Sequence, residues 1–204
     1  MGIVSVVAPV PKKILLIDGH PDPAPQRFDH ALAEGYRRAA VAAGHEVRVT
    51  QLATLKFPWL RTSLDFHSGK PPVVIVQQQK LLSWAEHVVI IYPLWLGAMP
   101  ALLKAYMEQL LRPGFAFEAA KTKGFPKQLL QGRSVRIFVT MGMPSLFYTL
   151  VYRAHSLKSL ERNILGAAGF KPIRATVIGN IEGVSTTKRK AILADAAELG
   201  ARGM

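Results

Sequence analysis

No cysteine occurs among the 204 residues. That excludes disulfides, thiolate nucleophiles and cysteine-held zinc or iron–sulfur centres, and it fits a cytoplasmic protein. No apolar run approaches the roughly 18 residues needed to cross a bilayer. Acidic residues are scarce, 13 against 26 lysines and arginines, for a formal charge of +13. Such a chain attracts polyanions non-specifically and suits a phosphorylated ligand. The basic residues are scattered, however, at Lys12-Lys13, Arg37-Arg38, Lys121, Lys123, Lys127 and Lys188 to Lys190, without interleaved aromatics. They read as a solvated surface, not as a specific nucleic-acid interface. Also missing are H-E-x-x-H or any close histidine pair for a metal, and G-x-S-x-G for a serine hydrolase. The length suits one domain over residues 1–204, with 1–11 as a flexible N-terminal extension. Met1 to Val10 has no basic start and no long apolar stretch, which reads against a signal peptide.

What is present is an alternation of strand and helix patterns. "KILLID", Lys13 to Asp18, is a short apolar run suited to a buried strand. Phe28, Leu32, Tyr36 and Ala39 recur at spacings of three or four within a helix from Arg27 to Ala43, stopped by Gly44. "EVRVT" at Glu46 to Thr50 alternates like a strand, and residues 51–72 read as a long irregular connection. Val73 to Ala85 reads as a helix opened by Pro71-Pro72. "HVVIIY", His87 to Tyr92, is a strand buried on both faces, and Pro100 to Leu111 is an amphipathic helix. Ser134 to Met141 is the next strand, Leu146 to Leu165 mainly helix, Pro172 to Gly179 the last strand and Thr186 to Leu199 the last helix. The five alternations predict a doubly wound α/β sheet with helices on both faces.

Ligands of such sheets bind beyond the carboxyl ends of the strands, where the strand order switches. Three unusual segments belong there: Gly19 to Arg27, Pro93 to Pro100 and Gly142 to Tyr148. The first joins a strand to a helix N-terminus, which offers free N–H groups to an anion, and His20 and Arg27 add donors. It is neither G-x-G-x-x-G nor a Walker loop, so a Rossmann-type dinucleotide and nucleotide hydrolysis are both disfavoured. The other two carry Leu94, Trp95, Met141, Met143, Phe147 and Tyr148, suited to a flat apolar pocket. Together they suit a ligand with a phosphate tail and a planar ring, for which flavin is the obvious candidate. Of the histidines, His30, His45, His67 and His87 read as surface or capping residues, and His20 and His155 as functional.

"ILLIDGHPDPAPQRFDHAL", "VVIIYPLWLGAMPALLKAYMEQLLRPGFAF", "VTMGMPSLFY" and "ILGAAGFKP" occur in this order. Together they resemble the flavodoxin-like NAD(P)H:quinone oxidoreductases, a family that includes DT-diaphorase, bacterial drug-activity modulators and the ancillary oxidoreductase of a potassium-efflux system. The resemblance runs from Lys13 to Leu199. It implies a five-stranded parallel sheet of order 2-1-3-4-5, a homodimer, NAD(P)H as electron donor and quinone-like acceptors reduced by two electrons in a ping-pong cycle. It also implies that His20, Arg27, Phe28 and Asp29 bind the flavin phosphate and ribityl chain; Arg27 and Asp29 stand where the family often has Ser and Asn. Pro93, Leu94, Trp95, Leu96 and Gly97 match the loop along the isoalloxazine ring, and Thr140, Met141, Gly142 and Met143 the loop beside its pyrimidine end. Tyr148 and His155 match the catalytic pair near the substrate. Arg189 matches an arginine near the flavin diphosphate, which leans the cofactor toward FAD over FMN. The resemblance leaves open a regulatory reading, in which a flavin-binding ancillary subunit docks on a transport system through Phe57 to Pro72. An electron-carrier flavodoxin is disfavoured by the +13 charge.

Overall fold

The computed structural model describes residues 10–118 and 126–204. The expected extension, apart from the exposed Val10 and Pro11, lies outside the described residues, as do Lys121 and Lys123. In chain order the elements are β1 (Lys13–Asp18), α1 (Phe28–Ala42), β2 (Glu46–Gln51), α2 (Ser63–His67), α3 (Val73–Trp84), β3 (His87–Pro93) and α4 (Ala101–Leu110). Then follow β4 (Phe117–Glu118), β5 (Lys127–Gln128), β6 (Ser134–Thr140), α5 (Ser145–Leu150) and α6 (His155–Lys158), which runs into a π-helical turn at Ser159–Gly166. β7 (Ile173–Ile178) and α7 (Thr186–Ala201) complete the chain.

Five strands form one sheet in the order β2-β1-β3-β6-β7, every neighbouring pair parallel. A parallel sheet needs cover on both faces, so its central strands are near-continuous buried, mostly apolar runs. β3 meets that demand: all seven residues from His87 to Pro93 are buried. Alternate side chains feed two cores. Val89 and Ile91 pack with Leu32 and Tyr36 of α1 and Ala196 of α7. Val88, Ile90 and Tyr92 pack on the other face with Ile75 and Leu82 of α3 and Leu103 and Tyr106 of α4. α1 and α7 approach so closely that a Cβ on Gly200 would lie 2.4 Å from the carbonyl oxygen of Tyr36. Within the second core Gln78 is satisfied by Thr50, which donates to its Oε1 at 2.6 Å, and by Tyr106 at 3.2 Å.

Four local expectations change. Residues 51–72 are not wholly irregular: Thr62 caps α2 by accepting from Asp65 N–H, and the buried Arg112 donates to the carbonyls of Asp65 (2.7 Å) and Gly69 (2.8 Å). The helix expected over Leu146 to Leu165 is broken between α5 and α6, where Arg153 (φ 51°) and Ala154 (φ 49°) turn left-handed. The hairpin β4-β5 has no counterpart in the sequence reading. The ladder does not end before Pro93: Pro93 pairs with Thr140, and the next N–H, on Leu94, donates to Thr140 O at 2.7 Å.

The strand order reverses between β1 and β3. This puts the loops after β1, β3, β6 and β7 around one crevice at the carboxyl end of the sheet. Gly19 opens the first loop where nothing larger fits: its N–H donates to Ile91 O at 2.7 Å, and a Cβ would lie 2.9 Å from that oxygen.

Candidate functional site

The loop after β1 is organised by carboxylates. Asp18, buried at the end of the strand, accepts the His20 N–H on Oδ1 at 3.2 Å and faces His30 Nδ1 with Oδ2 at 2.5 Å. The other nitrogen of His30 meets the Asp22 carbonyl at 2.9 Å. Both ring nitrogens therefore face acceptors, which only the doubly protonated imidazolium satisfies. Burial alone pushes His30 down, but the hydrogen bonds to Asp22 and Asp18, with the Asp18 charge, outweigh it and hold it above the usual histidine range. His30 is thus a part-buried clasp from α1 to this loop and not a surface or capping residue. His45 and His87 are buried; His45 matches the capping expectation, its Nε2 3.2 Å from the carbonyl of Ala201 at the end of α7, and His67, exposed at the end of α2, matches the surface expectation.

His20 takes the opposite state. Burial, and then the neighbouring His30, hold it below the usual range. Its Nδ1 accepts the Asp22 N–H at 3.1 Å, which places the proton on Nε2 and leaves that donor without a protein partner among the described residues. Arg27 does not add free charge. Its Nε donates to Asp22 Oδ2 at 2.7 Å and a terminal nitrogen pairs with the same oxygen. The Ala24 N–H and Arg27 in turn hold Asp22 below the usual carboxylate range.

Asp29 lies in the first turn of α1 and is 2% exposed. Thr140 at the end of β6 donates to its Oδ1 at 2.7 Å, while its Oδ2 is buried with no partner. Burial pushes its carboxyl up to about 7; the Asp18 charge adds to the rise, and Thr140 and His30 oppose it. A carboxyl so placed is shared between acid and anion near neutrality, so it can donate a hydrogen bond or repel charge according to pH.

These residues line one cleft of about 540 Å³. His20, Arg27, Phe28 and Asp29 form one wall; Pro93, Leu94 and Trp95 an apolar second; Thr140, Met141 and Gly142 a third. Arg189 joins from α7, its guanidinium 5.6 Å from the Phe28 ring and donating to Ile181 O at 2.7 Å. Trp95 stands edge-on to His20, their ring centres 5.8 Å apart, so the first two walls meet at the cleft mouth. The N–H groups of Phe28, Asp29, Gly142 and Met143 have no acceptor among the described residues.

Five expected residues lie outside that lining. Leu96 and Gly97 form a tight turn with φ of 45° and 76°, closed by reciprocal hydrogen bonds between Trp95 and Ala98, and Leu96 points wholly into solvent. Met143 packs against the core. The Tyr148 side chain is buried, its hydroxyl 2.8 Å from Ser156 Oγ and accepting the Leu157 N–H at 3.2 Å, because α6 folds back over it. His155 is exposed at the start of α6. Conversely, the cleft includes Asp22, Gln26, Ile181 and Glu182, which the sequence reading did not single out. Asp22 and Gln26 lie within the marked first loop. The signal for Ile181 and Glu182 was topological: they follow the last strand and emerge at the same end of the sheet.

A family model described as flavodoxin-like fold matches residues 12–202. An NAD(P)H oxidoreductase of Haemophilus influenzae, described as uncharacterized, is 25% identical over 188 residues, covering 90% of this chain and 92% of its own. An FMN-dependent NADH:quinone oxidoreductase of Bordetella avium is 29% identical over 129 residues, covering 58% of this chain and 62% of its own. The solved structure of an NAD(P)H:quinone oxidoreductase from Methanothermobacter marburgensis superposes with a TM-score of 0.77 at 19% identity, over 94% of this chain and 98% of that one.

Proposed function

The chain belongs to the family with the flavodoxin-like fold, and from that premise we propose that it is a flavin-dependent NAD(P)H:quinone oxidoreductase. The observation that carries this reading is the composition of the cleft. A flat apolar wall, Pro93 to Trp95, faces a corner of unpartnered donors at the start of α1. These residues fit a flavin, and the orphaned Oδ2 of Asp29 in that corner matches a group that accepts hydrogen bonds when the acid is protonated. The relatives are named for NAD(P)H and quinone, the donor and acceptor classes of the reading.

Bound flavin supplies the two-electron transfer from NAD(P)H to a quinone. The chain supplies position and charge. Phe28 and Asp29 N–H, at the positive end of α1, and His20 Nε2–H hold the phosphate. Gly142 and Met143 N–H stand beside Met141 at the third wall, where they stabilise negative charge on the polar edge of the ring. Arg27, neutralised by Asp22, holds the loop in shape. Tyr148 and His155 do not enter the chemistry of their own chain's cleft.

FMN is the cofactor of this reading in place of the FAD lean. Arg189, the residue that suggested a diphosphate, already donates to Ile181 O, and one relative is named FMN-dependent. The active form is a homodimer. Leu96 and, beyond β6, Leu146, Phe147, Leu150, Val151 and Tyr152 are all exposed, an apolar rim suited to a second copy. A cytoplasmic location follows from dependence on NAD(P)H. Among the described residues no helix is long and apolar enough to cross a membrane.

The test is to purify the protein, identify any released flavin, and follow NADH and NADPH oxidation with a quinone panel. Yellow protein with quinone-dependent turnover is expected. Protein that takes up neither FMN nor FAD defeats the proposal, and bound flavin without turnover returns the reading to an ancillary subunit.

A further inference from the structure

At the amino end of the sheet, opposite the cleft, Lys12, His87, Ser134, Arg136, Arg174 and Met204 line a second cavity, of about 230 Å³. Strand register creates its charge. Arg136 of β6 and Arg174 of β7 are direct partners in the parallel ladder, so two guanidinium groups project side by side from one face. Like charges in such a position destabilise a sheet unless something neutralises them. No carboxylate of the described residues lies within 4 Å of either guanidinium.

The pocket also holds unused donors. Arg136 is 8% exposed, and its Nε is buried with no partner. His87 is 3% exposed, with Nδ1 2.7 Å from Ser134 Oγ and Nε2 buried and unpartnered. With Nδ1 on Ser134, Nε2 is left as a buried polar atom without a partner in a residue that lines the cavity. Lys12 gives one of its three N–H groups to Gly203 O at 2.8 Å and keeps two. Burial, and then the charges of Lys12, Arg136 and His45, push His87 down to about 3. Burial, and then Arg174, hold Arg136 below the usual arginine range. Every charge that acts on His87 is positive.

We propose that this pocket binds a small phosphate-class dianion between Arg136 and Arg174, with His87 and Lys12 flanking it. Two guanidinium forks present several N–H groups in planes that match the multiple oxygens of a phosphoryl group better than a spherical halide. Free phosphate and the phosphoryl end of a small metabolite share that chemistry, and the cavity volume limits the appended part to a few atoms.

The test measures thermal unfolding of the full chain, its cleft saturated with FMN, against inorganic phosphate at constant ionic strength, with sodium chloride as balance. Wild type, Arg174→Gln and Arg189→Gln run in parallel. Arg174 is exposed, so its variant folds even if an Arg136 variant does not. Expected is a rise of about 5 °C or more at 100-fold excess over Kd in wild type and Arg189→Gln, and none in Arg174→Gln. The His87 imidazole nitrogen resonances shift with phosphate in the same two proteins only. A rise that survives Arg174→Gln, or that chloride reproduces, overturns the proposal. So does a rise lost in Arg189→Gln alone, which would assign the phosphate to the cleft.

Discussion

At the carboxyl end of the sheet Asp18 faces His30 and Asp22 faces Arg27, whereas at the amino end Arg136 stands beside Arg174 with no carboxylate of the described residues within 4 Å. Both ends hold buried ionisable groups. In the cleft the chain pairs His30 and Arg27 with its own acids and leaves neutral donors, N–H groups and His20, for a ligand, with Arg189 at the edge held by a carbonyl. In the opposite pocket it leaves two adjacent cations. A net charge of +13 therefore says little about where an anion binds, because Arg27, the arginine of the first loop, is already paired with Asp22.

The contrast breaks most sharply at Asp18. Asp18→Asn takes the charged acceptor from the part-buried His30 and is expected to lower stability by about 3 kcal/mol in urea denaturation at pH 7. A loss below about 1 kcal/mol would show that the pair is not a clasp. The same pair sets a pH signature. His30 is held above its unfolded value, so its contribution is complete below about pH 6.5 and is lost as pH rises through its folded value.

Asp29 sharpens the comparison from the other side, as an acid left alone. Its folded value near 7 lies above the unfolded carboxylate value, so the folded state holds the extra proton. Stability from this group is present below about pH 4 and lost as pH climbs toward 7. Asp29→Asn should flatten that slope and stabilise the protein at pH 8 by roughly 2 kcal/mol. Flavin affinity, read by fluorescence quenching, should then no longer weaken between pH 6 and pH 8.

Arg136 should respond with the opposite sign to Asp18. Arg136→Met removes a buried, unpartnered cation for a side chain of similar length, and phosphate-free unfolding should show a gain of about 1 kcal/mol. Its phosphate-dependent stabilisation should vanish together with the cost. The smallest effect belongs to Leu96. Glycine there relieves a left-handed leucine, and Leu96→Gly should raise stability by about 0.5 kcal/mol while weakening self-association in sedimentation.

Much of this architecture was legible in the sequence because its signals were local. "ILLI" within β1 and "VVIIY" within β3 are apolar throughout, as strands covered on both faces tend to be, and prolines and glycines mark the loops that follow them. The cleft walls followed from topology, since every loop after a parallel strand emerges at the same end. What stayed hidden depended on contacts between distant residues. The state of His30 is set by Asp18, twelve positions away on another element. The burial of Tyr148 depends on a turn made by Arg153 and Ala154, neither of which announces a left-handed backbone. The like-charge pair of Arg136 and Arg174 exists only in the register of β6 against β7, which no single-strand pattern encodes.

Thr140 shows what such non-local wiring means for inheritance. Its hydroxyl holds Asp29, and its carbonyl holds the N–H of Leu94, so one residue fixes the first two walls to a common reference. Evolution can edit the first tie with a single codon, and can retune the phosphate corner by doing so. The second tie is written in the main chain, where of the ordinary substitutions at Leu94 only proline removes the donor. An amide-to-ester replacement there would cut it without changing the side chain. The apolar wall is therefore free to vary in side chain but not in position, a division that lets acceptor preference drift while the frame that receives the ligand stays put.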